Sequence, residues 1–252
     1  MPEAWANRWM RLGAAASLVL AAPGLAAPLS DDWSDADYST KETRALTHAY
    51  AQCVVRRQPA KAAEAIAANV GTGAILRDYG MLIRPECLTR EVKQTTRIRF
   101  GGDLYRYALA DALVNRELAA QPAPNLDSVP RLDHHDPGEP PKEVDSKGRK
   151  LSKRKLEAAR ESYGRDAAFA FLSVYGECIV RADTEGARSL LATTPDSAEE
   201  AARFAALGPT LSRCLPEGKT LRFGKVALRG SVAINYYRLA HAARASAGGR
   251  LR

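Results

Sequence analysis

Apolar residues recur at helical spacing in two distant parts of the chain. One stripe consists of Leu46, Tyr50, Cys53 and Val54, and the other of Phe171, Tyr175, Cys178 and Ile179. Within each stripe the residues stand at positions i, i+4, i+7 and i+8, which is one face of an α-helix. Strand signals are confined to the short stretches 95–100 and 220–223. The pattern therefore predicts an all-α fold in which both tyrosines belong to the core.

The two stripes belong to an ordered series of internal matches. Residues 50–56 (YAQCVVR) return 125 positions later as residues 175–181 (YGECIVR). Cys87 then matches Cys214 at an offset of 127, and Gly102 matches Gly230 at an offset of 128. Such a drift needs only a few inserted loop residues, so the series predicts a tandem duplication.

Each copy is predicted to contain three helices. The apolar stripe marks the first helix, and a short second helix opens at Pro59 in one copy and at Asp183 in the other. The last helix is expected to follow Gly102 in the first copy and Gly230 in the second. These assignments give a first repeat unit over residues 39–115 and a second over residues 155–246.

Residues 116–154 separate the two predicted units. Six of the 14 prolines fall between residues 122 and 141, and no apolar periodicity survives there. A proline-rich stretch of this length without periodicity is typical of a flexible connection. We therefore expect residues 116–154 to form a disordered linker.

The four cysteines occupy matched positions in the two units, so the duplication bears on how they pair. Four cysteines allow three pairings. Each ancestral unit must have folded alone, which selects the disulfides Cys53–Cys87 and Cys178–Cys214. Closing loops of this length stabilises a small unit by roughly 3–4 kcal/mol in the chain-entropy model. The alternative is a set of buried free thiols.

The N-terminal residues have the composition of a secretory signal peptide. Two arginines precede the apolar run 13–20 (GAAASLVL), and Pro23 is followed by small residues. This pattern predicts a signal peptide over residues 1–26. A retained membrane anchor is the alternative, but the apolar stretch 12–27 is shorter than the roughly 20 residues that a spanning helix needs. No later stretch of the sequence is long and apolar enough to cross a membrane.

Composition supports a folded, exported protein. The chain has 252 residues, of which 46% are hydrophobic and 26% charged, which argues against a disordered, collagen-like or multi-span membrane protein. Aromatic residues make up only 7%, so small side chains must fill the core, which favours close helix packing. The alanine- and arginine-rich usage is typical of bacteria with GC-rich DNA. Export from such a cell predicts a periplasmic or secreted protein with oxidised cysteines.

No enzyme signature occurs in the sequence. The His-Glu-x-x-His, Gly-x-Ser-x-Gly, Walker and Gly-x-Gly-x-x-Gly patterns are absent. No polar cluster is duplicated either, since His48 aligns with Ser173. The run 133–136 (DHHD) suggests a metal motif, but adjacent histidines point in different directions. The sequence therefore predicts neither a cofactor nor a metal site, and it favours a protein that is not an enzyme.

A basic run at residues 147–155 (KGRKLSKRK) follows the acidic stretch 127–145. Its six cationic side chains are candidates for contact with an anionic surface: Lys147, Arg149, Lys150, Lys153, Arg154 and Lys155. Nucleic acid is a poor partner, because the run lacks interleaved aromatic residues and the protein is predicted to be exported. The alternative is the solvated end of a linker.

These features favour an exported, non-catalytic helical module that binds an unknown protein or an anionic envelope component. Two alternatives stay open: a hydrolase-type enzyme of unrecognised class with its site between the units, and a purely structural or stress-related envelope protein. Function must be argued from a site. Convergent polar residues around a closed pocket between the units favour the enzyme, whereas a flat or apolar surface there favours the binding module.

Overall fold

The computed structural model of the chain describes residues 41–88, 103–216 and 224–248. Over these residues it contains α-helices, two 3₁₀ turns and irregular segments, with no strand beyond one isolated bridge between Val144 and Lys150. The predicted all-α fold is therefore confirmed. The predicted signal peptide 1–26 and the candidate strands 95–100 and 220–223 lie outside the described residues.

Nine α-helices occur in the described ranges. The first four are α1 (Lys41–Arg57), α2 (Pro59–Ala67), α3 (Thr72–Asp78) and α4 (Leu104–Glu117). Two 3₁₀ turns, Gly80–Leu82 and Pro85–Cys87, lie between α3 and α4. The others are α5 (Lys153–Ala182), α6 (Thr184–Leu191), α7 (Ala198–Ala206), α8 (Gly208–Cys214) and α9 (Lys225–Gly248). No helix among the described residues is both long and apolar enough to span a membrane.

The short second helices begin where the sequence predicts them. Pro59 opens α2, since its fixed φ suits a first helical turn. Asp183 caps α6 by accepting a hydrogen bond of 2.8 Å from the backbone N–H of Gly186. Helix α5 extends back from its apolar stripe through polar residues to Lys153, and its first buried residue is Ala168. The first half of α5 is therefore mainly solvated.

The last helix begins earlier than the sequence predicts. Gly230 does not precede this helix, because α9 starts at Lys225 and contains Gly230. The glycine serves close packing instead: a Cβ at residue 230 would lie 2.0 Å from Cγ of Tyr107 on α4. Likewise, a Cβ at Gly176 of α5 would lie 2.1 Å from Oγ of Ser231 on α9. The two glycines mark the points where α9 closely approaches α4 and α5.

Helices α4 and α9 pack against each other at the centre of the protein. Helix α1 packs against α4, and α5 packs against α9. The buried core is continuous, since it joins residues from before the predicted linker, such as Leu109, with residues from after it, such as Ala233. The two predicted units therefore share one hydrophobic core.

Both predicted disulfides are present. Cys53 of α1 is bonded to Cys87 in the second 3₁₀ turn, with a Cα–Cα distance of 5.6 Å. Cys178 of α5 is bonded to Cys214 at the end of α8, with a Cα–Cα distance of 5.8 Å. Each bond ties the first long helix of its half to a segment about 35 residues later.

Tyr50 and Tyr175 are buried, as the apolar stripes predict. The hydroxyl of Tyr50 accepts a hydrogen bond of 2.7 Å from the backbone N–H of Arg84. The hydroxyl of Tyr175 donates one of 3.0 Å to the carbonyl of Leu211. Burial raises the pKa of Tyr175 to about 12, so this hydroxyl stays protonated at neutral pH. Both tyrosines thus bond the backbone three residues before a disulfide cysteine.

Part of the predicted linker is packed on the protein body. Leu126 and Val129 are buried and belong to the shared core. Arg181 of α5 donates hydrogen bonds to the backbone carbonyls of both residues and of Pro130, the last at 2.6 Å. The prediction of a disordered linker is therefore wrong for this part, because apolar side chains and a multidentate arginine hold it. Residues 146–150, in contrast, are exposed.

Candidate functional site

A pocket of about 490 Å³, partly open to solvent, lies between α1, α4 and α9. We call it the seam pocket, because these helices come from the two halves of the chain. Its lining residues are Arg44, His48, Leu104, Tyr107, Ala108, Asp111, Pro195, Asp196, Glu200, Lys225, Val226, Arg229 and Gly230.

Arg229 of α9 is the central charge of the seam pocket and is only 6% exposed. Its guanidinium donates to Asp111 at 2.8 Å and to Glu200 at 3.0 Å. It also donates to three backbone carbonyls around the end of α6, at 3.0, 3.1 and 2.9 Å. Every nitrogen of this guanidinium is therefore occupied by a protein acceptor.

Three more polar side chains of the seam pocket, Arg44, Asp196 and His48, also have partners. Arg44 of α1 donates hydrogen bonds of 2.8 and 2.9 Å to Asp196. These bonds hold the pKa of Asp196 below its usual value. The Nε2–H of His48 donates to Asp111 at 2.7 Å, and in the neutral ring the lone pair is then on Nδ1. Lys225, exposed at the rim, forms no ion pair with the described residues.

The formal charges around the seam pocket cancel when His48 is neutral. Three cations balance three carboxylates: Arg44, Lys225 and Arg229 against Asp111, Asp196 and Glu200. Most of the remaining lining is carbon, from residues such as Leu104, Ala108 and Val226. Because five of these six charged groups bind one another and Lys225 lies at the rim, the pocket offers a ligand mainly apolar surface.

A second, smaller pocket of about 220 Å³ lies between α4, α5 and α9. We call it the arginine pocket: Arg106 lines it, and Arg238 lies one helical turn beyond Ile234, another lining residue. The other lining residues are Tyr107, Phe169, Leu172, Ser173, Ser231 and Asn235. Tyr107 lines both pockets, so a shift of this side chain affects the two together.

Ser173, His134 and Glu177 form a chain of hydrogen bonds at the arginine pocket. His134 Nδ1 lies 2.8 Å from Oγ of Ser173, and its Nε2–H donates to Glu177 at 2.5 Å. Glu177 also accepts from Arg181 at 2.6 Å and from the N–H of Leu132 at 3.2 Å. Burial raises the pKa of Glu177, but these hydrogen bonds outweigh it and hold the pKa below its usual value. The chain combines the residue types of a serine hydrolase triad.

Arg106 of α4 is 3% exposed and incompletely paired. Its guanidinium carbon lies 4.5 Å from the centroid of the Phe169 ring, and Nη2 donates to the side chain of Asn69. Asp103 lies 3.7 Å away, too far for a hydrogen bond. The buried Nε has no hydrogen-bond partner in the described part of the chain. Burial lowers the pKa of this arginine.

Arg238 of α9 is 9% exposed and has even fewer partners. Its Nη2 donates to the carbonyl of Asp133 at 2.9 Å. Nε and Nη1 are buried, and no acceptor among the described residues binds them. Burial lowers the pKa of Arg238, and the nearby charge of Arg106 lowers it further. A buried donor without a partner costs about 1–3 kcal/mol, and more when it is charged.

The structure leaves the candidate anion-binding residues apart from both pockets. All six cationic residues of the run 147–155 are exposed. Arg149 forms an ion pair of 2.8 Å with Asp145, and Lys153 lies 3.9 Å from Glu157. Within the described ranges, no group of three or more side chains is arranged to hold a metal ion. Instead, His134 of the 133–136 run joins the hydrogen-bond chain.

Sequence analysis misses the buried arginines near both pockets, and it misses Asp111, the partner of Arg229. One signal for them exists: Arg106, Asp111, Arg229 and Arg238 are charges inside apolar, alanine-containing stretches that form α4 and α9. Charged residues are rarely buried unless they are paired, so such positions merit attention. The contact of His134 with Ser173 and Glu177 has no sequence signal, because it depends on how residues 126–134 fold back onto α5.

Comparisons with known proteins identify no relative. No model of a known protein family matches the chain, and neither the curated proteins nor the solved structures contain a significant match.

Proposed function

We propose that this protein is an exported, non-catalytic helical binding module that holds a small apolar molecule in the seam pocket. One observation carries the proposal: Arg229, Asp111 and Glu200 bind one another, so a ligand meets mainly carbon. Pockets that are mostly apolar with a few placed polar groups are typical of small-molecule sites. When His48 is neutral, its Nδ1 adds one acceptor, which suits a ligand with a single hydroxyl or N–H group.

Two features support export. The Cys53–Cys87 and Cys178–Cys214 bonds are of the kind that persists in an oxidising compartment. The sequence also predicts a signal peptide over residues 1–26. Terminal sequencing of the protein recovered from a periplasmic or extracellular fraction tests cleavage, and an uncleaved chain in the cytoplasm contradicts it.

Titration with N-phenyl-1-naphthylamine, a neutral apolar fluorophore with one N–H group, tests binding in the seam pocket. We expect saturable binding to the parent and at least tenfold weaker binding to Ala108→Leu, because the larger side chain fills the pocket. Ala201→Leu is the matched control, since Ala201 is exposed on α7. Equal binding by the parent and Ala108→Leu contradicts the proposal. Absence of saturable binding favours a purely structural envelope protein.

A second candidate function is a hydrolase with Ser173 as nucleophile. It is favoured by the hydrogen-bond chain from Ser173 through His134 to Glu177. In such an enzyme the Oγ of Ser173 would attack an ester carbonyl while His134 Nδ1 takes the proton and Glu177 stabilises the imidazolium. Against it, Ser173 is only 6% exposed, and Glu177 is shared with Arg181 and Leu132.

Labelling with a fluorophosphonate, which reacts with activated serines, separates the two functions. A binding module is expected to show no labelling of Ser173 and no ester hydrolysis above that of Ser173→Ala. Labelling that is lost in Ser173→Ala, together with hydrolysis that is lost in the same variant, establishes the hydrolase instead.

The basic run contributes a weak electrostatic contact with an anionic envelope component in this proposal. Its support is the exposure of all six cationic side chains, three of which precede α5 and three of which lie in its first turn. Single exposed ion pairs contribute under about 1 kcal/mol, so several must act together. We expect anionic lipid vesicles to co-sediment with the parent at low salt but not at high salt. Equal low-salt binding by the sixfold Lys/Arg→Gln variant contradicts the contact.

The two halves descend from a duplicated unit in this proposal. Support comes from the matched disulfides, from the tyrosine hydroxyls that bond the backbone before each second cysteine, and from the shared order of a long helix followed directly by a short one. Superposition of residues 45–113 on residues 170–241 in an experimental structure tests this. Different helix orders in the two segments contradict it.

A further inference from the structure

We propose that the arginine pocket is a second binding site, which takes a small oxyanion, a carboxylate or a phosphate, between the guanidinium groups of Arg106 and Arg238. The site differs from the seam pocket in position and in ligand chemistry, so it goes beyond the binding function proposed above. Its basis is three buried guanidinium nitrogens that find no acceptor among the described residues. They belong to Nε of Arg106 and to Nε and Nη1 of Arg238.

The nearby carboxylates are committed to other partners. Glu177 accepts hydrogen bonds from Arg181, His134 and the N–H of Leu132. Asp103 accepts from both the N–H and the hydroxyl of Thr72, at 3.1 and 3.2 Å. Arg238 forms no ion pair with any residue that the structure describes. Asp103 also lies 3.7 Å from Nη1 of Arg106. The interior at α4 and α9 nevertheless contains guanidinium nitrogens without an acceptor among the described residues, and such donors favour an anionic ligand.

The shape of the site fits a small ligand with oxygen acceptors. A guanidinium presents a planar set of donors that matches carboxylate and phosphate oxygens. The pocket is narrow, so only a compact ligand suits it. Asn235 is fully buried and its Oδ1 has no donor in the described part of the chain, so it can accept from a ligand hydroxyl. Hydrogen phosphate and a hydroxy acid both supply one.

Isothermal titration of the parent with inorganic phosphate, and separately with acetate and lactate, tests the site at constant ionic strength. Saturable binding of phosphate or of a carboxylate is expected, and comparison of these probes distinguishes the two ligand sources. In parallel, NMR of arginine side chains should show that the probe shifts the Nε–H resonances of Arg106 and Arg238. No saturable binding of any probe overturns the proposal.

Variants locate the bound anion. Arg238→Met is expected to weaken binding at least tenfold, whereas Arg213→Met, which changes an exposed arginine of α8, leaves it unchanged. Without anion, Arg238→Met should unfold at the same or a higher urea concentration than the parent, because the lost charge has no carboxylate partner. Undiminished anion binding by Arg238→Met places the ion elsewhere and overturns the site.

Variants of the two pockets test whether the anion and the apolar fluorophore bind at different sites. Ala108→Leu, which fills that pocket, should bind the anion as the parent does, and Arg238→Met should still bind N-phenyl-1-naphthylamine. Failure of the fluorophore alone rejects the proposed apolar ligand and leaves the anion site standing. Loss of anion binding in Ala108→Leu means that the ion occupies the seam pocket and rejects the second site.

Discussion

Arg229 and Arg238 belong to the same helix, α9, and both are less than one tenth exposed. Arg229 donates to two carboxylates and to three backbone carbonyls. Arg238 donates to one backbone carbonyl, and two of its buried nitrogens have no partner in the described residues. The same side chain is thus fully satisfied at one pocket and mostly unsatisfied at the other.

This difference separates a structural contact, at Arg229, from the proposed anion site at Arg238. Arg229 links α4 through Asp111 to α7 through Glu200, so it holds the two halves of the chain together. Each guanidinium nitrogen of Arg229 already has a protein acceptor, so none is left to bind a ligand. Arg238 donates to one loop carbonyl, and two of its nitrogens have no acceptor among the described residues. Burying such nitrogens costs free energy, which a bound oxyanion would offset.

Substitution of the paired arginine should have the largest effect. Arg229→Met leaves Asp111 and Glu200 as buried carboxylates without their cation, and breaking a buried pair from one side costs about 3–5 kcal/mol. Urea unfolding should therefore show a large loss of unfolding free energy for Arg229→Met and little or none for Arg238→Met. Equal losses of unfolding free energy in the two variants would mean that Arg229 and Arg238 do not differ in their contribution to stability.

Substitution of Gly230 tests the role of Tyr107, which lines both pockets. Gly230→Ala places a Cβ 2.0 Å from Cγ of Tyr107, which lines both pockets. Neither the helix backbone nor the base of the tyrosine ring yields easily, so the change should cost about 1–3 kcal/mol and weaken ligand binding at both sites. Thermal unfolding and the two titrations measure this.

Gly73 provides the matched control for that substitution. It lies in α3, and an added Cβ would meet nothing within 4 Å. Gly73→Ala should stabilise the protein by about 0.5–1 kcal/mol, because alanine is the better helix former. A loss of stability as large as that of Gly230→Ala would show that the close contact with Tyr107 is not the cause.

The proposed anion site also depends on the loop 126–134, because Arg238 donates to the carbonyl of Asp133 and Arg181 holds the preceding residues. Arg181→Gln removes donors from the carbonyls of Leu126, Val129 and Pro130 and releases Glu177. We expect a loss of about 1–2 kcal/mol and faster amide hydrogen exchange at residues 126–134. Arg116→Gln, whose bonds to two carbonyls are 3.3 and 3.4 Å, is the weaker control. Unchanged exchange in Arg181→Gln contradicts the role of this arginine.

The helices and the disulfides were predictable because they depend on local spacing. The stripes at Tyr50 and Tyr175 report one helix face, and a repeated cysteine spacing reports a repeated bond. The start of α9 was predicted wrongly at Gly230, because the sequence does not distinguish a glycine needed for close helix packing from one that precedes a helix. The core shared by Leu109 and Ala233 has no local signal.

The pockets were not predictable for a related reason. Arg229 meets Asp111 118 residues away in the chain, and Ser173 meets His134 across 39. Such pairs form only once the halves and the linker are folded together. The sequence shows that α4 and α9 contain charges among apolar residues, but it does not show which of those charges find a partner.

The smallest expected effect is the loss of stability in acid at two carboxyl groups, Asp196 at the seam pocket and Glu177 near the arginine pocket. Asp196 at the seam pocket has a pKa below its usual 3.8 because Arg44 donates to it, and Glu177 has a pKa below 4.5 because its hydrogen bonds outweigh burial. A carboxyl whose pKa is lower in the folded state adds stability above its unfolded pKa and loses it as the pH falls through the folded pKa. Both contributions are therefore complete at pH 6 and shrink below about pH 4.

Urea unfolding of Asp196→Asn and Glu177→Gln at pH 6 and near pH 3 measures the two contributions. Asp196 is partly exposed, so Asp196→Asn should cost under about 1 kcal/mol at pH 6. Glu177 is buried and holds Arg181, His134 and the Leu132 backbone, so Glu177→Gln should cost more. Each difference from the parent should narrow near pH 3, because the parent carboxyl then begins to be protonated. A difference that stays constant between the two pH values would mean that the carboxylate charge is not what stabilises that region.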